Sequence, residues 1–202
     1  MKRKIMMILG LVLLNCEVIF AQKNQFEANI GPAFFGSGDI LGRYTAFRYD
    51  RMVAKRISVF GQISYSYGQK MNPSDNPNNP LLITFRSNSS LKANIGVGLN
   101  VLKIKDTHFL NVSPSLGFIK SSVFRAASYY LAEPFIANRP LERQYAYNPP
   151  EYREAVSIGY GLGLDYKVKV TNAMFLGTGI ILQNYKKSGI EWGLFLSTAF
   201  RI

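Results

Sequence analysis

Cysteine and histidine are almost absent from this 202-residue chain, which contains one of each. Because cysteine and histidine are so scarce, a disulfide framework, a zinc cluster and a Cys–His catalytic pair are excluded. Charged residues are also scarce, at 18%, whereas the chain has 12 tyrosines, 14 phenylalanines and 17 glycines. This composition favours sheets over helices. We expect an all-β protein with neither a metal site nor a cofactor.

Long apolar runs are lacking too, since no segment has the 18 or more consecutive apolar residues of a transmembrane helix. The apolar run 5–14 follows three basic residues and precedes Ala21, which is typical of a secretory signal peptide. We predict that residues 1–21 are a leader and that 22–202 form one mature domain. Two alternatives stay open: a membrane anchor, and lipidation of Cys16 in a segment similar to a bacterial lipobox.

The sequence is strongly basic, with 24 lysines and arginines, 12 acidic residues and a formal net charge of +12. Loss of the leader removes three basic residues and one acidic residue, which leaves +10. The basic residues are scattered and do not form one stripe, and an exported chain rarely meets nucleic acid. Anionic lipid headgroups are therefore the expected partner, and nucleic acid is not.

Apolar and polar residues alternate with period two in eight segments, which predicts eight strands. In the clearest segments, 57–68 and 91–101, every second residue is apolar. Pro114 is an awkward residue for a central strand. The predicted strands cover residues 25–35, 44–53, 57–68, 91–101, 109–119, 155–166, 173–185 and 191–202.

The connections between these strands alternate in length. Short ones are predicted at 54–56, 103–108 and 167–172, and long ones at 69–90 and 121–154. Two more connections, at 36–43 and 186–189, lie at the same end as the long ones. Short turns at one end and longer loops at the other are typical of an outer-membrane β-barrel, because in hydrocarbon only a closed sheet leaves no unpaired edge. We predict an eight-stranded antiparallel up-and-down transmembrane β-barrel with both ends of the domain in the periplasm.

Aromatic side chains fit the same topology, because they are expected at both membrane–water interfaces. The outward-facing aromatics predicted near the periplasmic interface are Phe26, Phe47, Tyr49, Tyr166 and Phe200, and those near the outer interface are Phe34, Tyr65, Tyr67, Phe118 and Trp192. A soluble β-sandwich or lipocalin-like barrel would also alternate, but its apolar face would point inward.

Three segments carry a resemblance to known proteins. The leader end Ala21-Gln22, the segment 49–59 across a tight turn, and the terminal Phe200-Arg201-Ile202 are similar to the small outer-membrane β-barrel families of OmpX and PorT type. The resemblance implies an eight-stranded barrel in the cell outer membrane, inserted by the barrel assembly machinery. That machinery recognises a last strand with an aromatic near its end. Such strands usually end in the aromatic, whereas Phe200 lies two residues before the end of this one.

The face opposite the apolar one carries charges of both signs, and in an eight-stranded barrel side chains just fill the interior. Enclosed charges must pair. We therefore predict a lumen network that closes the barrel, formed by Glu27, Arg48, Asp50, Lys92, Asp165, Glu191 and Arg201. A proton path or a catalytic carboxylate pair is the alternative use of these residues.

The longest predicted loop, 121–154, is rich in tyrosine and arginine, which are enriched at binding hot spots. We predict a partner-binding surface formed by Arg125, Tyr129, Tyr130, Arg139, Arg143, Tyr145 and Tyr147. The partner would be a protein or the phosphates of lipopolysaccharide, which arginine can bind through two parallel hydrogen bonds. A self-packed cap over the barrel mouth explains the same residues equally well.

The predicted function is non-enzymatic, and the protein is expected to be a structural or interaction component of the outer membrane. It would act either as a subunit of an envelope or secretion assembly or on its own. The alternatives are a lipid A-modifying enzyme and a narrow small-solute channel. The enzyme would need a nucleophile and a base at the outer end of the barrel. His108 is predicted at the opposite end, as a solvated turn residue.

Overall fold

The computed structural model of the protein describes residues 24–36, 40–72, 84–126, 128–132 and 144–202. The predicted leader 1–21, with Cys16 and Ala21, lies outside these residues. Within the described ranges, no helix has the length and apolar character needed to cross a membrane. The strands are β1 (Asn24–Phe35), β2 (Ile40–Ala54), β3 (Ile57–Asn72), β4 (Thr84–Ile104), β5 (His108–Arg125), β6 (Ser128–Ala132), β7 (Gln144–Asn148), β8 (Glu151–Lys169), β9 (Met174–Tyr185) and β10 (Gly189–Arg201).

Eight of these strands close into a barrel in the order β1-β10-β9-β8-β5-β4-β3-β2, and every neighbouring pair is antiparallel. The first and last strands close the ring, with Gln25 opposite Arg201 and Phe35 opposite Glu191. Asn24 and Ile202 exchange two backbone hydrogen bonds of 3.1 and 2.9 Å. The predicted eight-stranded antiparallel up-and-down β-barrel is confirmed.

The barrel is apolar outside and polar inside. Phe47 and Ile95 are 75% and 70% exposed on the outer surface, whereas the charged side chains of Lys92 and Asp165 are only 1% and 2% exposed inside. A soluble barrel would have the reverse arrangement, because exposing a large apolar side chain to water costs about 1.5–3 kcal/mol. The distribution therefore indicates a hydrocarbon environment around the barrel.

Aromatic side chains lie on the outer surface towards both ends of the barrel. At the end of the barrel where Asn24 and Ile202 meet, the rings of Phe26 and Tyr49 are 5.1 Å apart on neighbouring strands. Towards the other end, the rings of Phe34 and Trp192 stack at 4.0 Å. Amphipathic rings at these levels suit the two membrane–water interfaces.

The strands extend beyond their predicted bounds at the loop end, where the prediction was wrong. The segments 69–90 and 121–154 were predicted as loops, yet β3 and β4 pair as far as Asn72 opposite Thr84, and β5 and β8 pair as far as Arg125 opposite Glu151. Polar residues dominate these extensions, so the apolar alternation stops although the backbone ladder continues. The hairpin of β6 and β7, also unpredicted, lies within the same long connection.

The ladder between β4 and β5 is interrupted near Pro114, and the turn that joins these two strands has an unusual backbone conformation. The pairing of β4 with β5 lapses between the Gly96–Ser115 pair and the Leu99–Val112 pair, and Pro114, which lacks an N–H donor, lies in that interval. The turn between β4 and β5 places Lys105 and Asp106 at positive φ angles of 49° and 57°.

Candidate functional site

An ion pair occupies the upper part of the lumen, towards the loop end. The ammonium group of Lys92 on β4 donates to Glu191 on β10. Lys92 also donates to Ser66 Oγ at 3.0 Å and to Gln183 Oε1 at 3.1 Å. Ser66 and Ser90 in turn donate to the Glu191 carboxylate at 2.6 and 3.1 Å. This upper cluster satisfies both buried charges with hydrogen bonds, as a buried pair requires.

The lower part of the lumen lies towards the end of the barrel where Asn24 and Ile202 meet. It contains an arginine–aspartate pair. The Arg48 guanidinium binds Asp50 in bidentate fashion, with N···O distances of 2.7 and 2.8 Å. It also donates to Ser113 Oγ at 3.1 Å, and Ser58 donates to Asp50 at 3.1 Å. The Phe60 ring lies 3.8 Å from the guanidinium carbon. The guanidinium is therefore fixed on several sides.

A second group of charges lies beside that pair. Lys167 on β8 forms ion pairs with Glu27 on β1 and, at 3.2 Å, with Asp165. Asn111 donates to Asp165 at 2.9 Å. Together with the Arg48 pair these residues form the lower cluster, in which two cations face three carboxylates.

Large polar side chains separate the two clusters. Gln62 donates to the Tyr44 hydroxyl at 2.7 Å, and Tyr185 donates to Asn94 at 3.0 Å. A cavity of about 370 Å³ opens above this layer and a small one of about 50 Å³ below it, and the two share no lining residue. Tyr44 and Tyr185 are only 1% and 2% exposed, so side chains fill the lumen between the two cavities.

All seven residues predicted as a lumen network lie inside the barrel, but they do not form one network. Six belong to the upper or lower cluster. The exception is Arg201, which is half-buried; its guanidinium lies 4.4 Å from the centre of the Phe175 ring and 3.5 Å from Gln25. Lys167 was predicted in a turn, but it lies in the lower cluster of the lumen. Continuing the alternation two residues past Asp165 would have placed Lys167 inside.

The upper cavity forms the mouth of the barrel. Its floor includes Glu191 and Ser90, so the upper cluster closes it from below. Four cations line it, Arg86, Arg125, Arg153 and Lys187, together with three carboxylates, Glu151, Glu154 and Glu191. Serine hydroxyls form much of the remaining wall, contributed by Ser89, Ser90, Ser121, Ser122 and Ser188.

Two arginines stand directly opposite each other in this mouth cavity. Arg86 on β4 is the register partner of Arg125 on β5. Arg125 is balanced in part by Glu151, with N···O at 3.7 Å. Like charges at opposite positions of a strand pair are destabilising. An anion bound between the two guanidinium groups would relieve this repulsion.

The predicted partner-binding residues are only partly described. Arg125 lines the mouth cavity. Tyr129 and Tyr130 lie on β6, and Tyr145 and Tyr147 on β7, with Tyr129 opposite Tyr147 in the register of the hairpin. Arg139 and Arg143 lie outside the described residues. The strand pairing brings the four tyrosines into one short hairpin within the connection that follows the mouth end of β5.

His108 lies at the end of the barrel opposite the mouth cavity. It is the first residue of β5, and its Nδ1 shares a hydrogen bond with the Tyr166 hydroxyl. The ring is therefore held against the barrel wall and is not a free turn residue. In the part of the chain that the structure describes, no group of three or more His, Cys, Asp or Glu side chains is placed to hold a metal ion.

Solved outer-membrane proteins share this fold at low sequence identity. The crystal structure of Ail, the attachment invasion locus protein of Yersinia pestis, in complex with the heparin analogue sucrose octasulfate, aligns with a TM-score of 0.54 and 11% identity over 91% of this chain and 100% of that chain. A second Ail crystal structure aligns with a TM-score of 0.52 and 12% identity over 90% and 98%. A major outer membrane protein from Thermus thermophilus aligns at 0.52 and 11% over 89% and 99%.

No protein-family model matches the sequence, and a search of curated proteins found no match either. The structural likeness concerns the fold. The predicted eight-stranded outer-membrane β-barrel is confirmed, together with the cell outer membrane as the compartment that suits this fold.

Proposed function

We propose that this protein is a non-enzymatic outer-membrane barrel with an interaction role, and that its mouth cavity binds phosphate or sulfate groups of an anionic saccharide, such as the headgroup of lipopolysaccharide. The observation that carries this proposal is the opposed pair of Arg86 and Arg125 in a cavity closed from below by the upper cluster. The cavity leads to no passage, so it suits a ligand that docks from outside.

The chemistry of the cavity wall fits such a ligand. Guanidinium groups bind phosphate and sulfate oxygens through two parallel hydrogen bonds. Serine hydroxyls can donate to or accept from sugar hydroxyls. The complex of Ail with sucrose octasulfate, a sulfated sugar, concerns a protein of the same fold and supports this choice of ligand class.

The described residues of the mouth cavity favour binding over catalysis. Four of its five serines pair with one another, Ser89 with Ser122 and Ser121 with Ser188, each at 2.7 Å, and Ser90 donates to Glu191 in the upper cluster. His108, the single histidine of the sequence, lies at the other end of the barrel. These contacts lend no support to the lipid A-modifying enzyme, and the closed lumen lends none to the small-solute channel.

Other predictions depend on residues outside the described ranges or on partners. We retain as proposals the leader 1–21, the barrel domain 22–202, insertion by the barrel assembly machinery and a protein partner held by the 121–154 segment. A stoichiometric partner in mild-detergent pulldowns, lost when residues 128–148 are removed, would support membership of an envelope or secretion assembly. Recovery of the barrel alone would argue against that membership.

The saccharide proposal is tested by binding measurements in phosphatidylcholine nanodiscs. Native mass spectrometry or calorimetry would compare lipopolysaccharide with its dephosphorylated form. We expect wild-type protein to bind the phosphorylated form, and Arg86→Gln/Arg125→Gln to lose at least about tenfold in affinity, since each lost charge-assisted contact is worth a kcal/mol or more. Arg43→Gln/Lys55→Gln, which removes two exposed cations that do not line the cavity, is the control. Equal binding of both saccharides, or equal loss in the control, would refute the proposal.

A further inference from the structure

The three turns at the end of the barrel where Asn24 and Ile202 meet bring together cations of separate strands. Lys55 and Arg56 form the turn between β2 and β3, and Lys105 lies in the turn between β4 and β5. Lys103 and Lys169 lie at the adjoining ends of β4 and β8. We refer to these five residues as the basic rim. Four of them are exposed and Lys169 is half-exposed.

One carboxylate lies among these cations. Asp106 forms an ion pair with Lys103 within the turn. The hydrogen bond from Lys103, followed by its charge and those of Lys169 and Lys55, holds the pKa of Asp106 below its usual range. Cations from three different turns therefore act on the same carboxylate, that of Asp106. Among the described residues, the ion pair with Asp106 involves one of the five cations, and the other four form no ion pair there.

The basic rim adjoins the apolar outer surface. Val53 precedes Lys55, Ile104 lies between Lys103 and Lys105, and Val170 follows Lys169; all three apolar side chains are exposed. Each cation group is thus placed beside residues that suit hydrocarbon. In a membrane, this position corresponds to the headgroup level of one leaflet.

The identity of that leaflet follows from the topology. In outer-membrane barrels the short turns lie in the periplasm, and Asn24 and Ile202 meet at the same end as the basic rim. The leaflet at this level is therefore the periplasmic one. Its lipids are glycerophospholipids and not lipopolysaccharide, so the anions that the rim meets are phospholipid phosphates.

We propose that the basic rim binds anionic glycerophospholipid headgroups of the periplasmic leaflet and thereby fixes the depth of the barrel in the membrane. Four cations that form no ion pair among the described residues, spread over three turns, face a ring of phosphates at the edge of the apolar surface. This site is separate from the mouth cavity, and it stands whether or not that cavity binds a saccharide.

Lipid selection in nanodiscs tests the proposal. The full barrel would be reconstituted in phosphatidylcholine containing about one quarter phosphatidylglycerol, and the lipids that stay bound would be identified by native mass spectrometry. We expect several-fold enrichment of phosphatidylglycerol over its share in the disc, and loss of this enrichment in about 0.5 M salt, since screening weakens exposed charges.

The decisive variant is Lys55→Gln/Lys105→Gln/Lys169→Gln, which should abolish the enrichment. Its matched control is Arg43→Gln/Lys70→Gln/Lys186→Gln, which removes the same number of charges towards the mouth end. This control should retain the phosphatidylglycerol enrichment. Both variants change exposed or half-exposed positions, and heat-dependent gel migration verifies that each barrel is folded.

Three results would overturn the proposal. The first is no enrichment in the wild-type protein, and the second is equal loss of enrichment in the rim variant and its control. The third is rim-dependent binding of soluble polyglutamate without phosphatidylglycerol enrichment, which would assign the rim to an acidic protein partner instead.

Discussion

Lys92 and Glu191 meet across the full width of the barrel, although they are 99 residues apart in the chain. Their strands, β4 and β10, occupy opposite positions in the eight-stranded ring. The pair therefore ties together two walls that no backbone hydrogen bond connects directly. A buried pair in this position acts as a cross-brace and as the floor of the mouth cavity.

Breaking this pair on one side should destabilise the barrel strongly. Lys92→Met leaves the Glu191 carboxylate buried without its counter-charge, at a cost of about 3–5 kcal/mol. The double variant Lys92→Met/Glu191→Gln removes both charges and should cost much less than the sum of the single changes. Urea unfolding in liposomes, followed by Trp192 fluorescence, measures these free energies.

The exposed pair of Lys120 and Glu154, at 3.4 Å, is the control for that experiment. Because water and salt screen this pair, Lys120→Met should leave the unfolding midpoint nearly unchanged. Strictly additive effects of Lys92→Met and Glu191→Gln would contradict the role assigned to the buried pair.

Two glycines on adjacent strands should respond differently to the same substitution. A methyl group on Gly96 would lie 2.3 Å from the Pro114 carbonyl oxygen and 2.6 Å from the Phe60 ring, whereas one on Gly61 would meet no atom within 4 Å. We expect Gly96→Ala to destabilise by about 1–3 kcal/mol through overpacking, and Gly61→Ala to unfold like the wild type. The same urea titration distinguishes them, and equal stability of the two variants would show that the contact at Gly96 is not restrictive.

The strand count, the pairing order and the inward face of most strands could be predicted from the sequence, because a membrane barrel repeats one local rule along every strand. β9 was harder, since Phe175 and Ile181 face inward while Leu176 and Leu182 face outward. Both faces of that strand are apolar, so alternation alone gives no parity. The ring register, which places Leu182 opposite Trp192, decides the matter.

The limits of the strands and the pairing inside the lumen could not be predicted in the same way. Arg86 and Arg125 lie beyond the apolar belt, where polar residues end the alternation without ending the ladder. The partner of Lys92 is set by the diameter and stagger of the closed ring, which are global properties of the sheet. The sequence therefore predicts which charges are enclosed, but not which of them meet.

The direction of the outer surface can be tested with spin labels. A label at Leu196, which is 66% exposed on that surface, should collide with oxygen and be protected from a water-soluble nickel chelate. A label at Lys105, exposed in a turn, should show the opposite behaviour. Equal access of the chelate to both labels would mean that the apolar surface is in water.

The acid titration of Asp106 should depend on Lys103. The hydrogen bond and charge of Lys103 lower the pKa of Asp106, with smaller contributions from Lys169 and Lys55. Because the folded-state pKa is depressed, the stabilising effect of this contact is present above the ordinary aspartate range and is lost as the pH falls through the folded-state value.

Replacement of Lys103 by methionine should therefore raise the Asp106 pKa towards its ordinary value, and Lys169→Met should raise it less. Carboxyl carbon shifts in detergent-solubilised protein would follow both titrations. The stability difference between the wild type and Lys103→Met should shrink as the pH falls, because protonated Asp106 no longer attracts the ammonium group. An Asp106 titration that is the same in all three proteins would show that the turn contact does not persist in solution.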